Sequence, residues 1–179
     1  MKAIAFAALL VALPFCTFAA GERPGAGPLS VYIVPNARTP QSRLLYRTVP
    51  ELGVLAFDVI LTNTSAKPLT IWAQGSSWSH SNISFELARA GGKRLISRRS
   101  VAWDANAPHP YTLLPKEHYV FHIRFGDETW PLDWLPEGGS KTSYTIRAIY
   151  QVESDDRAKE FHIWTGTVSS TPCDFIIAS

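Results

Sequence analysis

Apolar side chains recur at every second position in several separate stretches of this chain, and that period marks a half-buried β-strand. In HYVFHIRF (118–125), Tyr119, Phe121, Ile123 and Phe125 share one face, opposite His118, His122 and Arg124. In VLAFDVILTN (54–63), Leu55, Phe57, Val59 and Leu61 stand together, with Asp58 and Thr62 on the reverse. SYTIRAIYQV (143–152) groups Tyr144, Ile146, Ala148 and Tyr150, and ISFELAR (83–89) alternates in the same way. A strand with one apolar face must cover it with a second layer, so these stretches require packed sheets.

Other segments fit the same scheme. LSVYIV (29–34) reads as a first strand broken by Pro35, Asn36 and Pro40, and PLTIWA follows the turn NTSAKP. Gly91-Gly92 is expected to turn ISFELAR back into KRLISR, because glycine reaches positive φ without a steric cost. EFHIWTGTV (160–168) and CDFII (173–177) complete the strands, and no stretch shows a helical period. The 13 prolines, 11 glycines and single methionine suit a loop-rich β protein. The expected fold is all-β, an immunoglobulin-like two-sheet antiparallel sandwich of about eight or nine strands, in one domain over residues 29–179. GDETWPLDWLPEGGS (126–140) interrupts the rhythm and is expected to bridge the two sheets.

Residues 1–20, MKAIAFAALLVALPFCTFAA, have the layout of a secretory signal peptide: a charge at Lys2, an apolar run, and small residues before the cleavage point. Thr17-Phe18-Ala19 places the new N-terminus at Ala20 or Gly21, followed by a lead-in, GERPGAGP, too poor in apolar residues to fold. Lipid anchoring at Cys16 is disfavoured by the bulky Phe15 before it. The expected location is therefore secreted or periplasmic, with no transmembrane segment in the processed chain. Cleavage leaves Cys173 as the one cysteine, so no internal disulfide can form; Cys173 is expected to be half-buried in the last strand. A domain of about 150 residues buries roughly 70% of its unfolded surface and needs no such staple.

The chain carries 17 Lys and Arg against 15 Asp and Glu. Loss of Lys2 leaves 16 against 15, a net charge of +1, which argues against a nucleic-acid partner.

The run FDVILTNTSAKPLTI, followed by LLPKEHYVFHI, resembles a layout of bacterial immunoglobulin-like domains. In that layout a long strand ends in an Asn-Thr-Ser turn and a Leu-Pro-Gly-Glu turn precedes a later strand. Lys116 stands here where the glycine would be. YTIRAIYQV and HIWTGTVSS are similar to the last strands of uncharacterised secreted proteins of this type. Residues 54–125 also resemble the bacterial intracellular proteinase inhibitor family, which has no export signal. The resemblance implies a sandwich; it assigns no activity.

Candidate site residues are few. His118 and His122 would stand about 13 Å apart on a strand, too far for one ion without sharp leaning. His80, His109 and His162 lie elsewhere, so no metal or cofactor is expected. Gly75-Ser76-Ser77-Trp78-Ser79 misses the nucleophile elbow at its last residue. Asp127, Glu128, Asp133 and Glu137 lack a calcium-loop spacing, and Glu153 to Glu160 reads as a solvated hairpin tip. No catalytic constellation emerges, and the chain is read as a non-enzyme.

Two features remain. Arg89, Lys93, Arg94, Arg98 and Arg99 form a candidate basic patch, or else a charged edge that prevents sheet-to-sheet pairing. Trp78, Trp103, Trp130 and Trp134 fall in connections and form a candidate contact surface, or else plug the ends of the sandwich. The expected role is an exported binding or accessory module touching a protein or glycan. The alternatives are a proteinase inhibitor presenting a loop within 101–117 and, last, a small hydrolase. Asn63 and Asn82 each open an N-glycosylation sequon.

Overall fold

A computed structural model describes residues 27–35, 45–47, 55–103, 106–126, 128–130 and 142–178. The leader, Trp134 and most of 126–140 lie outside them. In chain order the elements are β1 (Leu29–Pro35), β2 (Leu45–Arg47), β3 (Leu55–Asn63), β4 (Leu69–Trp72), the helical turn α1 (Ser77–His80), β5 (Ile83–Arg89), β6 (Gly92–Ser97), β7 (Pro110–Leu113), β8 (His118–Phe125), β9 (Thr142–Val152), the helical turn α2 (Asp156–Glu160), β10 (Gly166–Ser169) and β11 (Cys173–Ala178).

These strands make an all-β sandwich. One sheet is ordered β1-β3-β8; the larger runs β2-β11-β9-β5-β6 with β10 also on β9; and β4 pairs with β7 in a two-stranded leaf. All pairings are antiparallel except β2 with β11. The alternation read from sequence sets the register: Phe57 lies across from Ile123 and Val59 from Phe121, so all four face inward together. From the opposite sheet Phe85, Leu87, Ile146, Ala148 and Tyr150 complete the core. Phe85 meets Phe57 edge-on at 5.3 Å and Phe125 at 5.1 Å, which ties the two sheets together.

The β5–β6 hairpin closes through Ala90 and Gly91, since Arg89 is already paired with Gly92. Gly91 carries the left-handed φ of 103° that this turn requires.

The joint between β3–β8 and β4–β7 hangs on Asn63, which is fully buried. Its backbone N–H donates to Glu117 O and its carbonyl accepts from Lys116 N. Its side-chain amide donates to Lys67 O at 2.7 Å and Leu113 O at 2.9 Å, while Oδ1 accepts from Ser65 N and Ser65 Oγ. With both amide hydrogens engaged and no exposure, this sequon cannot carry a glycan in the folded chain. The facing turn, Leu114 to Glu117, is closed by Glu117 N–H on Leu114 O. Lys116 adopts φ 67° there, the left-handed position that the Leu-Pro-Gly-Glu pattern reserves for glycine; for a residue with a side chain this conformation costs about 1–2 kcal/mol. Leu114 N–H and the Tyr111 hydroxyl both donate to the Glu117 carboxylate. Leu114 first and Tyr111 second hold that carboxyl below its ordinary range, and the same bond to Glu117 raises Tyr111.

Two expectations need correction. The strand read over 160–168 begins only at Gly166, because Asp155 caps a helical turn by accepting from Ala158 N at 2.7 Å. The chain then leaves that turn through His162 at φ 53°. The hairpin tip read over 153–160 is therefore α2, anchored by the buried Ala158. Pro110–Leu113, inside the candidate inhibitor loop, forms β7 against β4. β2 and β7 join the strands read from sequence, so the described residues hold eleven. Cys173 lies half-buried in β11, as expected.

Candidate functional site

A pocket of about 390 Å³ opens where the ends of β5 and β9 meet α1 and α2. Pairing of Ile83 with Tyr150, continued by the Gln151 N–H donating to Asn82 O, sets Asn82, Ser84 and Gln151 on one side. Val152, Glu153, Asp155 and Arg157 follow from the end of β9 into α2. Trp72 and Trp78, with Ser81, form its aromatic wall.

Several contacts fix that wall. Trp164 N–H donates to Thr70 O at 2.7 Å and Ile163 N–H to Ala158 O, which docks the α2 segment against β4. Trp72 then packs on Trp78 at 5.3 Å and on Phe161 at 5.5 Å. The Arg157 guanidinium lies 5.2 Å from the Trp78 ring centre. Beneath, burial pushes the Tyr150 hydroxyl above the ordinary phenol range, opposed by the nearby Asn82 side chain and Trp72 backbone. Neither neighbour closes a hydrogen bond by geometry, so Tyr150 Oη, Asn82 Nδ2 and Trp78 Nε1 are buried polar atoms with no partner among the described residues. Such atoms normally find one.

The structure separates the four tryptophans. Trp130 is 2% exposed and cannot present a contact face; it meets Phe85 at 5.1 Å and Phe125 at 5.7 Å and plugs the core. Trp103 is half-buried and edge-on to His80, whose ring nitrogen bonds Arg99 O. Trp78 alone lines the pocket, while Trp134 lies outside the described residues. The basic patch divides too. Arg89, Lys93 and Arg94 are exposed on the β5–β6 hairpin, with Lys93 paired to Glu86 at 3.1 Å. Arg98 turns inward over Trp130 at 5.3 Å, and Arg99 is exposed beside it.

The remaining candidates do not converge. Among the described residues no three of His, Cys, Asp and Glu are placed to hold an ion. Ser76 and Ser79 face inward and brace α1, with Ser79 Oγ donating to Ser76 O, and Ser77 bonds Asn106. Sequence reasoning missed Trp72, which sits in a strand, and Arg157, Glu153 and Gln151. Asp155, followed by Asp156 and then the helix formers Arg-Ala-Lys-Glu, was the available signal for α2. Among the described residues no helix is long and apolar enough to cross a membrane. No family model matches the chain, and no curated protein matches it.

Proposed function

We propose that this chain is an exported, non-enzymatic binding module that holds a carbohydrate unit in the pocket beside Trp78. The observation that carries this reading is a pocket lined by two tryptophans together with polar side chains, with a volume in the ~300–1,000 Å³ range typical of small-ligand sites. A sugar ring offers hydroxyls that both donate and accept, together with an apolar C–H face. Asn82 and Gln151 supply amide groups, Glu153 a carboxylate, and Ser81 and Ser84 hydroxyls, the mixed inventory that hydroxyls need. Arg157 now covers the Trp78 ring, but at an exposed site that contact is worth only about 0.5–1 kcal/mol, so a stacking ligand can displace it.

The carboxylates support the non-enzymatic part of this reading as far as glycoside hydrolysis is concerned. That reaction ordinarily needs two, and of the two that line the pocket among the described residues Asp155 is engaged in capping α2. Export rests on the leader. The released protein is expected to begin at Ala20 or Gly21, and an intact mass carrying a diacylglycerol on Cys16 would refute that.

Binding is tested by titrating the protein with neutral, amino and acidic oligosaccharides while following tryptophan fluorescence. At least one class is expected to bind, and Gln151→Ala or Glu153→Gln to weaken it roughly tenfold, about 1.4 kcal/mol. Both positions are exposed, so thermal stability should hold. A panel with no binder, or binding indifferent to both changes, would remove the carbohydrate reading.

A further inference from the structure

The outer face of the β1-β3-β8 sheet carries a pattern that the pocket does not explain. Across its middle runs an apolar row, Tyr32, Ile60 and Val120, placed side by side by the strand register. Tyr32 and Val120 are 37% and 39% exposed, and Val34, one step along β1, is 40% exposed. Three of the seven exposed large apolar side chains among the described residues thus share one sheet face. On the outer face of the larger sheet the exposed Leu95 stands alone, opposite Glu86, among polar pairs such as Glu86 with Lys93 and Thr145 with Asp174.

Polar pairs flank the apolar row symmetrically. Two residues to one side, Thr62 Oγ1 bonds His118 Nδ1 at 2.8 Å; two residues to the other, Asp58 Oδ1 bonds His122 Nδ1 at 2.7 Å. A carboxylate only accepts, so His122 Nδ1 carries its hydrogen and a neutral ring leaves Nε2 as an acceptor. A hydroxyl can donate. With Thr62 donating to His118 Nδ1, the hydrogen of that ring sits on Nε2, which is then a donor. Both rings stand on the exposed side of β8.

We propose that this face is the interface of a two-fold dimer of this chain. An axis lying along the Tyr32–Ile60–Val120 row sets each of these residues against its own copy and carries the His118 row of one molecule over the His122 row of the other. The donor Nε2 of His118 then faces the acceptor Nε2 of His122 in the partner, twice per interface. Sheets packed face to face lie about 10 Å apart, a gap that two opposed side chains fill. Such isologous, self-complementary contacts are the commonest closed assembly. The face also carries Asp58 at one end and Arg124 beside it, so opposite charges are available within each copy and no single sign accumulates.

Self-contact at Val120 gives a selective test. Sedimentation velocity over a concentration series is expected to show a monomer–dimer equilibrium for the unaltered protein. Val120→Lys and Val120→Glu should each raise the dissociation constant at least tenfold, because each sets like charges together across the axis. Their equimolar mixture should recover a dimer containing one of each, and His118→Ala should weaken the homodimer while circular dichroism confirms folding in every variant. The proposal is overturned by a protein monomeric at every concentration, by a dimer insensitive to both Val120 variants, or by variants that weaken association without rescue on mixing. The last result would point to a different occupant of the face, whether another protein or another segment of this chain.

Discussion

Replacing Trp130 with alanine should lower stability by about 3–5 kcal/mol, the range for deleting a buried large aromatic side chain. The indole is 2% exposed and lies against Phe85 from one sheet and Phe125 from the other. Phe57 touches both of those rings, so one aromatic cluster spans the sandwich. Removing its largest member opens a cavity that three packed phenylalanines cannot fill by rotamer change alone. Arg98, stacked over the ring at 5.3 Å, loses its platform as well. For a domain of this size the midpoint of thermal melting should fall by on the order of 10 °C. Urea melts give the free energy directly, and a loss below about 1 kcal/mol would mean that the site collapses without a cavity. Ligand affinity extrapolated to fully folded protein should not change, because Trp130 does not line the pocket. Trp130→Phe should recover more than half of the loss, since a smaller ring still fills most of the space.

Long alternating segments were legible because burial of one sheet face writes itself into every second residue. β3, β5, β8 and β9 all follow it to within a residue or two. Short elements do not leave such a record. β2 and β7 span three and four residues, too few for a period to emerge from composition. The segment 160–168 misled for a different reason. Phe161, Ile163 and Trp164 are apolar enough for a strand, yet the Asp155 cap and the burial of Ala158 favour a helical turn, and tertiary contact through Trp164 N–H to Thr70 O fixes the exit. The pocket was illegible in principle. Its walls come from residues 72–84 and 151–157, brought together by the long-range pairing of β5 with β9 and by the docking of the α2 segment on β4. Tryptophan counting found Trp78 but could not separate it from Trp130, since connection residues and core plugs look alike until the chain has folded.

Asn63→Ala is expected to cost roughly 3 kcal/mol, and Asn63→Asp at least as much, although aspartate is the closer match in shape. The amide is fully buried and uses its whole capacity: two hydrogens to Lys67 O and Leu113 O, two acceptor positions to Ser65 N and Ser65 Oγ. Alanine removes all four bonds. Water can reach the exposed Lys67, but Leu113 is buried, so its carbonyl loses a partner that nothing replaces, at about 1–3 kcal/mol. Aspartate keeps the bonds from Ser65 but turns a charged oxygen toward two carbonyl oxygens in a site without solvent, a worse arrangement than an empty one. The sign of the pH effect follows. Protonating that introduced carboxyl restores one donor and removes the charge, so Asn63→Asp should recover stability relative to Asn63→Ala as the solution is acidified. Chemical denaturation of both variants at neutral and mildly acidic pH measures this directly. If the aspartate variant is the more stable at neutral pH, the carbonyls of Lys67 and Leu113 are not held by Asn63. The joint that passes β3 into β4 and β7 into β8 would then depend on the backbone bonds between Asn63, Lys116 and Glu117 alone.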